Sequence, residues 1–414
     1  MTKTKRVVIT GIGWATSLGC DIESVWSSLL EGESGIKKIS HIDTENLRTK
    51  ICGLVSNFDD QMFSAKDNRK MDPFIRYALY SAEKAIKHAN LPLEEIASDT
   101  GVAVGSGIGG LTYIEQNCKT VSESSPRRIS PYFIPSTIIN MCAGNISIKY
   151  GFKGPNISVV TACTTGTHNI GMAARMIASG DAKVMLAGGS EFASNVSGIG
   201  GFAAMKALST RNDEPTKASR PFDKDRDGFV LSDGAGILIL EDYDYATARG
   251  ANIIAEVVGF KMTSDAYHMT SPDEKAVGAI ACMQGAIDDA AISAEDISVI
   301  NAHGTSTPAN DRIETYAIKN VFGKYAYKLK VNSTKSMLGH SLGATGAIEA
   351  IVCSLTLRDQ IIHPTINCEN PDIDSGCDLD YVTNGSEKHE VNYIMSNSFG
   401  FGGTNGTLIL KKYS

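Results

Sequence analysis

Short apolar strand-like runs alternate with helical patterns along this chain, and near residue 250 the alternation starts again. Residues 7–10, 101–104, 157–160, 183–187 and 235–240 are runs of buried-strand type. Helical periodicity fills 76–89 and 167–179 between them. The second series begins with a strand at 253–258 and a helix over 273–291. It continues with a strand at 297–301, a helix, and a strand at 327–332. This is α/β patterning and excludes a β-sandwich. With 414 residues the chain exceeds what one hydrophobic core sustains. No low-complexity linker divides it, so residues 1–250 and 251–414 read as two related halves of one compact body. The halves share a local plan. Ile157 to Val160 runs into Thr161-Ala162-Cys163 and a helix, and Leu329 to Val331 runs into Ser333-Thr334-Lys335 and another. Residues 111–150, with Pro126, Pro131 and Pro135, read as an insertion over one face.

Composition narrows the function classes. A net charge of −7 argues against a nucleic-acid phosphate binder. Nine cysteines, an odd number without a Cys-x-x-Cys pair, read as reduced thiols of a cytoplasmic protein. No apolar run reaches the ~18 residues of a membrane span. Lys3, Lys5 and Arg6 before an apolar stretch faintly resemble a secretory signal. Thr10, Gly11, Gly13, Thr16 and Ser17 interrupt that stretch, and a first buried strand with its turn is the better reading.

Three local patterns imitate motifs. Gly105-Ser106-Gly107-Ile108-Gly109-Gly110 matches G-x-G-x-x-G, but the acid expected at a strand end about 20 residues on is missing, so it reads as a tight glycine turn. Asp223-x-Asp225-x-Asp227-Gly228 opens like a calcium loop, but Gly234 stands where the bidentate Glu belongs. Gly339-His340-Ser341-Leu342-Gly343 is a G-x-S-x-G elbow. A serine hydrolase would complete it with Asp359 and His363, or with Asp372 and His389. The elbow should follow a strand directly, however, and 333–338 intervenes. Hydrolysis through Ser341 is therefore the second reading.

The first reading centres on Cys163, where a strand ends and a helix begins. A helix N-terminus favours a thiolate, and its free amides can face a developing oxyanion. His303, in Asn301-Ala302-His303-Gly304-Thr305-Ser306-Thr307, lies at another strand end. Lys335 and His340 stand five residues apart in a glycine-rich turn. One thiol, two histidines and a lysine suit acyl-thioester chemistry better than metal binding, since no four-ligand spacing appears. The segment 397–406, Asn-Ser-Phe-Gly-Phe-Gly-Gly-Thr-Asn-Gly, reads as a mobile glycine loop carrying two aromatics.

With these residues in place, the chain resembles the β-ketoacyl-acyl carrier protein synthases, the elongating condensing enzymes of type II fatty acid synthesis. The resemblance spans nearly the whole chain and includes 105–110, 209–212, 220–236, 265–272, 303–308, 333–339 and 399–406. It implies a thiolase-like α-β-α-β-α fold, a homodimer, and acyl carrier protein as the partner that brings acyl and malonyl groups. It implies Cys163 as the acyl-accepting nucleophile, with His303 and His340 serving decarboxylation. Lys335 would support His340, paired with Glu314, and Glu349 would lend further support. The amides of Cys163 and Phe401 would form the oxyanion hole. Thr270, Thr305, Thr307 and Phe399 would bind the substrate arm, and Ile108 and Phe202 the acyl chain. No organic cofactor or catalytic metal is implied, although a monovalent cation would sit near Asn301, Glu349, Ser396 and Asn397. Trp14, Asn145, Lys149 and Asn310 depart from the family's commoner residues, away from the catalytic set. Cys163 excludes the non-catalytic sister type, and His340 excludes the Cys-His-Asn type. A specialised polyketide or polyene pathway remains an alternative to fatty acid elongation.

Overall fold

A computed structural model describes residues 5–413. Ten strands form one mixed sheet: β1 (Val7–Ala15), β2 (Thr100–Gly105), β3 (Asn156–Ile157), β4 (Val184–Glu191), β5 (Gly234–Asp242), β6 (Ala255–Ser264), β7 (Ile297–Asn301), β8 (Lys330–Asn332), β9 (Tyr393–Gly400) and β10 (Thr404–Lys412). Their spatial order is β8-β7-β9-β10-β6-β1-β5-β4-β2-β3. Strands β1 to β5 and strands β6 to β10 each follow the same internal order, third-second-fourth-fifth-first. Parallel and antiparallel pairings match as well: β2 is parallel to β3 and β4, and β7 is parallel to β8 and β9. The two sets meet where β1 runs antiparallel to β6, with Val7 opposite Val257.

Five helices build the remaining layers. Helix α1 (Pro73–Ala89) covers β1 and β5 from outside, and α3 (Val277–Ala290) covers β6 and β10. Helices α2 (Thr165–Ser179) and α5 (Thr345–Asp359) pack on each other and on strands of both sets, forming the middle layer. Helix α4 (Pro308–Phe322) lies beside α3. The result is the α-β-α-β-α arrangement. Burial explains the apolar runs: all nine residues of β1 and all nine of β5 are buried, as strands covered on both faces require. Helix α5 has no polar face, since thirteen of its fifteen residues are buried.

The first strand runs on to Ala15 and lies at the centre of the sheet, which disposes of the secretory reading. The strand expected at 157–160 stops at Ile157 because side chains take over its backbone. Val159 N–H donates to Asn169 Oδ1, Asn169 Nδ2 donates to Val159 O, and Thr161 N–H donates to Thr165 Oγ1. The strand expected at 327–332 is confined to β8, after a 3₁₀ turn over Gly323–Lys328. The insertion at 111–150 folds into helices Leu111–Glu123 and Met141–Tyr150, the second packed on α1 and β2.

The shared local plan needs a correction. The counterpart of the Ala162–Thr164 turn before α2 is not 333–335 but Leu342–Ala344 before α5. Both turns start in the left-handed region, with Ala162 at φ 52° and Leu342 at φ 45°. Both lead into fifteen-residue helices. The second half has an extra helical turn, Lys335–Leu338, ahead of it. Lys335 and His340 thus stand on a segment without a counterpart in the first half.

Candidate active site

A cleft of about 380 Å³ opens between the two halves, lined among others by Cys163, His303, His340, Thr305, Thr307, Phe202, Thr270, Phe399 and Phe401. Cys163 sits in the turn that opens α2, and Phe401 follows the end of β9. The backbone N–H groups of Cys163 and Phe401 both bear on the Cys163 sulfur. The helix-start argument predicts an acidic thiol, but burial outweighs it. The Cys163 thiol is pushed up to about 12 by desolvation, against the pull of Lys335 and the two amides. In the free protein the site therefore holds a thiol.

The two imidazoles lie edge to face with ring centroids 5.3 Å apart. Burial, reinforced by Lys335, holds both well below the usual histidine range, so both are neutral at pH 7. His340 Nδ1 lies 3.0 Å from Thr345 Oγ1, which also meets Ser341 Oγ at 3.1 Å. Phe229 packs against His340 and Phe399 against His303. The loop carrying His303 is held from behind. Glu314, on α4, accepts from His303 N–H and Gly304 N–H, each at 2.8 Å.

That arrangement corrects the expected ion pair. Lys335 Nζ donates to Glu349 Oε1 at 2.5 Å, not to Glu314, whose carboxyl is occupied by the two amides. Burial pushes both carboxyls up to about 7. Ile108 packs in an apolar cluster with Cys163, Phe202, Phe229 and Leu342, four residues that also line the cleft. Thr305 and Thr307 hydroxyls lie 2.9 Å apart, and Thr307 also caps α4 by accepting from Asn310 N–H. Thr345 and Phe229 were missed, because a threonine in a helix start and a phenylalanine in an irregular segment ahead of a strand carry no distinctive pattern.

The imitated motifs are spent on structure. The amides of Gly107 and Ile108 donate to Glu191, so a carboxylate of the chain itself fills the place a phosphate would take. Asp223 accepts from Arg220 and from Asn370 N–H, and Asp227 from Thr210 N–H. Ser341 has no acid or histidine of the expected triads beside it. Asp359 accepts from Trp26 and Arg358, and His363 is taken by Thr334 and the Pro364 carbonyl.

The cation expectation can be tested against buried oxygens. Asn301 Oδ1, Glu349 Oε2 and Ser396 Oγ are buried without hydrogen-bond partners. Asn301 and Ser396 face each other across the parallel β7–β9 pair, and α5, which carries Glu349, packs on β9. An all-oxygen donor set fits a hard cation and not a transition metal. The Asn397 side chain is committed elsewhere, accepting from Thr407 and facing Glu314.

Residues 4–246 match the family model described as the beta-ketoacyl synthase N-terminal domain, and residues 254–369 match the C-terminal one. The 3-oxoacyl-[acyl-carrier-protein] synthase 2 of Coxiella burnetii is 54% identical over 410 residues, covering 99% of both chains. The protein of the same name from Vibrio cholerae is 55% identical over 412 residues, again covering 99% of each. Among solved structures, a beta-ketoacyl synthase from Burkholderia phymatum aligns with a TM-score of 0.93 at 35% identity, covering 99% of this chain and 100% of that one. A ketosynthase solved with its type II polyketide acyl-carrier protein, bound to a hexaketide, aligns with a TM-score of 0.92 at 34% identity, with the same coverage.

Proposed function

We propose that this chain, which belongs to the β-ketoacyl synthase family, elongates fatty acyl chains by decarboxylating condensation of an acyl-[acyl carrier protein] with malonyl-[acyl carrier protein]. The observation that carries this reading is the meeting of one thiol, two neutral imidazoles and the Phe401 amide in a single apolar cleft. In the first half-reaction Cys163 sulfur attacks the acyl thioester. The departing pantetheine thiol takes up the proton that Cys163 gives up. The amides of Cys163 and Phe401 stabilise the oxyanion. Lys335 and the α2 N-terminus favour the thiolate that the attack requires.

In the second half-reaction, ring N–H donors of His303 and His340 hold the malonyl thioester oxygen. Carbon dioxide leaves with its carbon–carbon bond pair passing into the enolate. The enolate carbon attacks the Cys163 thioester. The new oxyanion collapses, the 3-oxoacyl product departs on its carrier, and the released Cys163 thiolate regains a proton. Neutral imidazoles suit this role, because each keeps one ring N–H to donate to the oxygen. Loss of carbon dioxide drives the condensation, so no organic cofactor enters. Thr270, Thr305 and Thr307 are the polar lining for the pantetheine arm, and Phe202 borders the acyl chain.

Three further assignments belong to this reading. A monovalent cation bound by Asn301, Glu349 and Ser396 would fix the segment behind the histidines. A homodimer would cover exposed Ile134, Ile138 and Val160 and the open edge of β3. The nine free cysteines, eight of them buried, suit a reducing cytoplasm. The relatives' names and their higher identity favour fatty acid elongation over a specialised pathway.

The test is intact-mass analysis of the protein after mixing with an acyl-carrier protein, followed by peptide mapping. An acyl group on Cys163 is expected. An acyl group on Ser341, or free fatty acid without an acylated thiol, would contradict the proposal.

A further inference from the structure

Glu191 ends β4 and is fully buried, yet the chemistry above does not use it. Its carboxylate has four hydrogen-bond donors, none of them charged. Ser106 Oγ donates at 2.6 Å and Ile108 N–H at 3.1 Å to Oε1, while Gly107 N–H at 2.7 Å and Gly343 N–H at 2.9 Å donate to Oε2. Three of the donors belong to the glycine loop of the first half. The fourth belongs to the Leu342–Ala344 turn of the second. The two segments touch: a Cβ on Gly343 would come within 2.3 Å of Gly107 N, and one on Gly107 within 3.3 Å of Gly343 N. Ile108 and Leu342, one from each segment, pack in the cluster that holds Cys163 and Phe202.

A buried carboxylate without a counter-charge is costly to desolvate. Here its charge has a specific use. Two carboxylate oxygens accept from four converging donors, whereas a glutamine in the same place would turn an NH₂ group toward at least one N–H. Only the acid can accept from all four donors at once.

We propose that Glu191 is a positioning residue for acyl selection: its carboxylate ties residues 106–108 of one half to the Leu342–Ala344 turn of the other and so holds Ile108 as a fixed wall behind Cys163. The proposal rests on the reading that the acyl chain is carried on Cys163. A longer chain reaching past Phe202 must move Ile108, and the clasp resists that movement.

The test compares acylation of Cys163 by carrier thioesters of short and long acyl chains in the wild type, in Glu191→Gln and in Ser106→Ala. Glu191→Gln is expected to shift the long-to-short rate ratio toward long chains by about tenfold, the low end of what a hydrophobic pocket contributes to discrimination by size. Ser106→Ala, which removes one donor of the four, is expected to shift the ratio the same way by less. A purely structural role for Glu191 would lower the rates for all lengths together, and a folded Glu191→Gln with its ratio within about twofold of wild type would overturn the proposal. Should Glu191→Gln fail to fold, Ser106→Ala decides: an unshifted ratio overturns the proposal. A wild type that takes no acyl group on Cys163 would instead remove the reading beneath it.

Discussion

Lys335 Nζ lies 2.5 Å from Glu349 Oε1, with both side chains almost wholly buried. The pair joins the segment between β8 and α5 to the middle-layer helix, and the lysine charge reaches Cys163, His303 and His340 from behind the cleft. Lys335→Ala leaves Glu349 uncompensated and should cost about 3–5 kcal/mol. It should also move two kinds of group in the same direction. The Cys163 thiol loses the cation that pulls it down and should become harder to ionise. Both imidazoles lose the cation that disfavours their charged form and should protonate more readily. Alkylation rate against pH and histidine NMR titration check these shifts. Unchanged titrations would detach Lys335 from the site.

Glu314 supplies a pH prediction. Burial raises its folded value to about 7, above the ordinary 4.5. Between those values the folded state binds more protons than the unfolded chain, so this carboxyl favours the fold fully below about pH 4.5, and its contribution is lost as pH rises through about 7. The loss is at most about 3 kcal/mol. The depressed histidines act with the opposite sign and cancel when wild type is compared with Glu314→Gln. In urea titrations at pH 5 and pH 7.5, the wild type should lose more stability across the interval than the variant. A constant difference between the two proteins would refute the assignment.

The layers of the fold were legible because β1, β4 and β5 are buried on both faces and write that burial as unbroken apolar runs. Cys163 and His303 were legible because each lies in a turn beyond a strand, and His340 because it stands among glycine and hydroxyl residues after a short helical turn. What failed has a common cause. The end of β3 and the partner of Lys335 each depend on which distant group arrives first. Asn169 takes the backbone at Val159, and two amides occupy Glu314. The acidity of Cys163 was misjudged because a helix N-terminus is visible in sequence and burial of the thiol is not.

His303→Ala should separate the two half-reactions. The thiol is served by Lys335 and two amides, so acylation of Cys163 should continue, while malonyl decarboxylation falls by about 10²–10³, the usual effect of removing one oxyanion donor. Stopped-flow acylation and carbon dioxide release, measured on the same preparation, distinguish the steps. Lost acylation with intact decarboxylation would reverse the roles.

Phe401 is expected to gate the acyl pocket. Its ring lies 6.4 Å from Phe202, and it is followed by Gly402 at φ 85°, whose N–H donates to Met269 O at 2.7 Å. An alanine at 402 would have room for its Cβ but not an easy backbone, so Gly402→Ala should slow acylation by stiffening the hinge. Phe401→Ala should loosen the order of the two half-reactions, with a stability loss under about 3 kcal/mol because the ring is only half-buried. Pre-steady-state acylation with long and short acyl-carrier proteins checks both. Wild-type rates in both variants at every length would remove the gate.

On the proposed function, Cys163 carries the acyl group while malonyl loses carbon dioxide in the same cleft. The most direct measurement supplies acyl-carrier protein and malonyl-carrier protein labelled at its free carboxyl to the wild type and to Cys163→Ala, following labelled carbon dioxide and 3-oxoacyl product together. Cys163→Ala replaces a buried thiol with a side chain of similar size and should keep the fold to within about 1 kcal/mol. The wild type should release one labelled carbon dioxide for each 3-oxoacyl-carrier protein formed, and Cys163→Ala should form no such product. Condensation product from Cys163→Ala at the wild-type rate, or wild-type turnover that yields free fatty acid without labelled carbon dioxide, would contradict it.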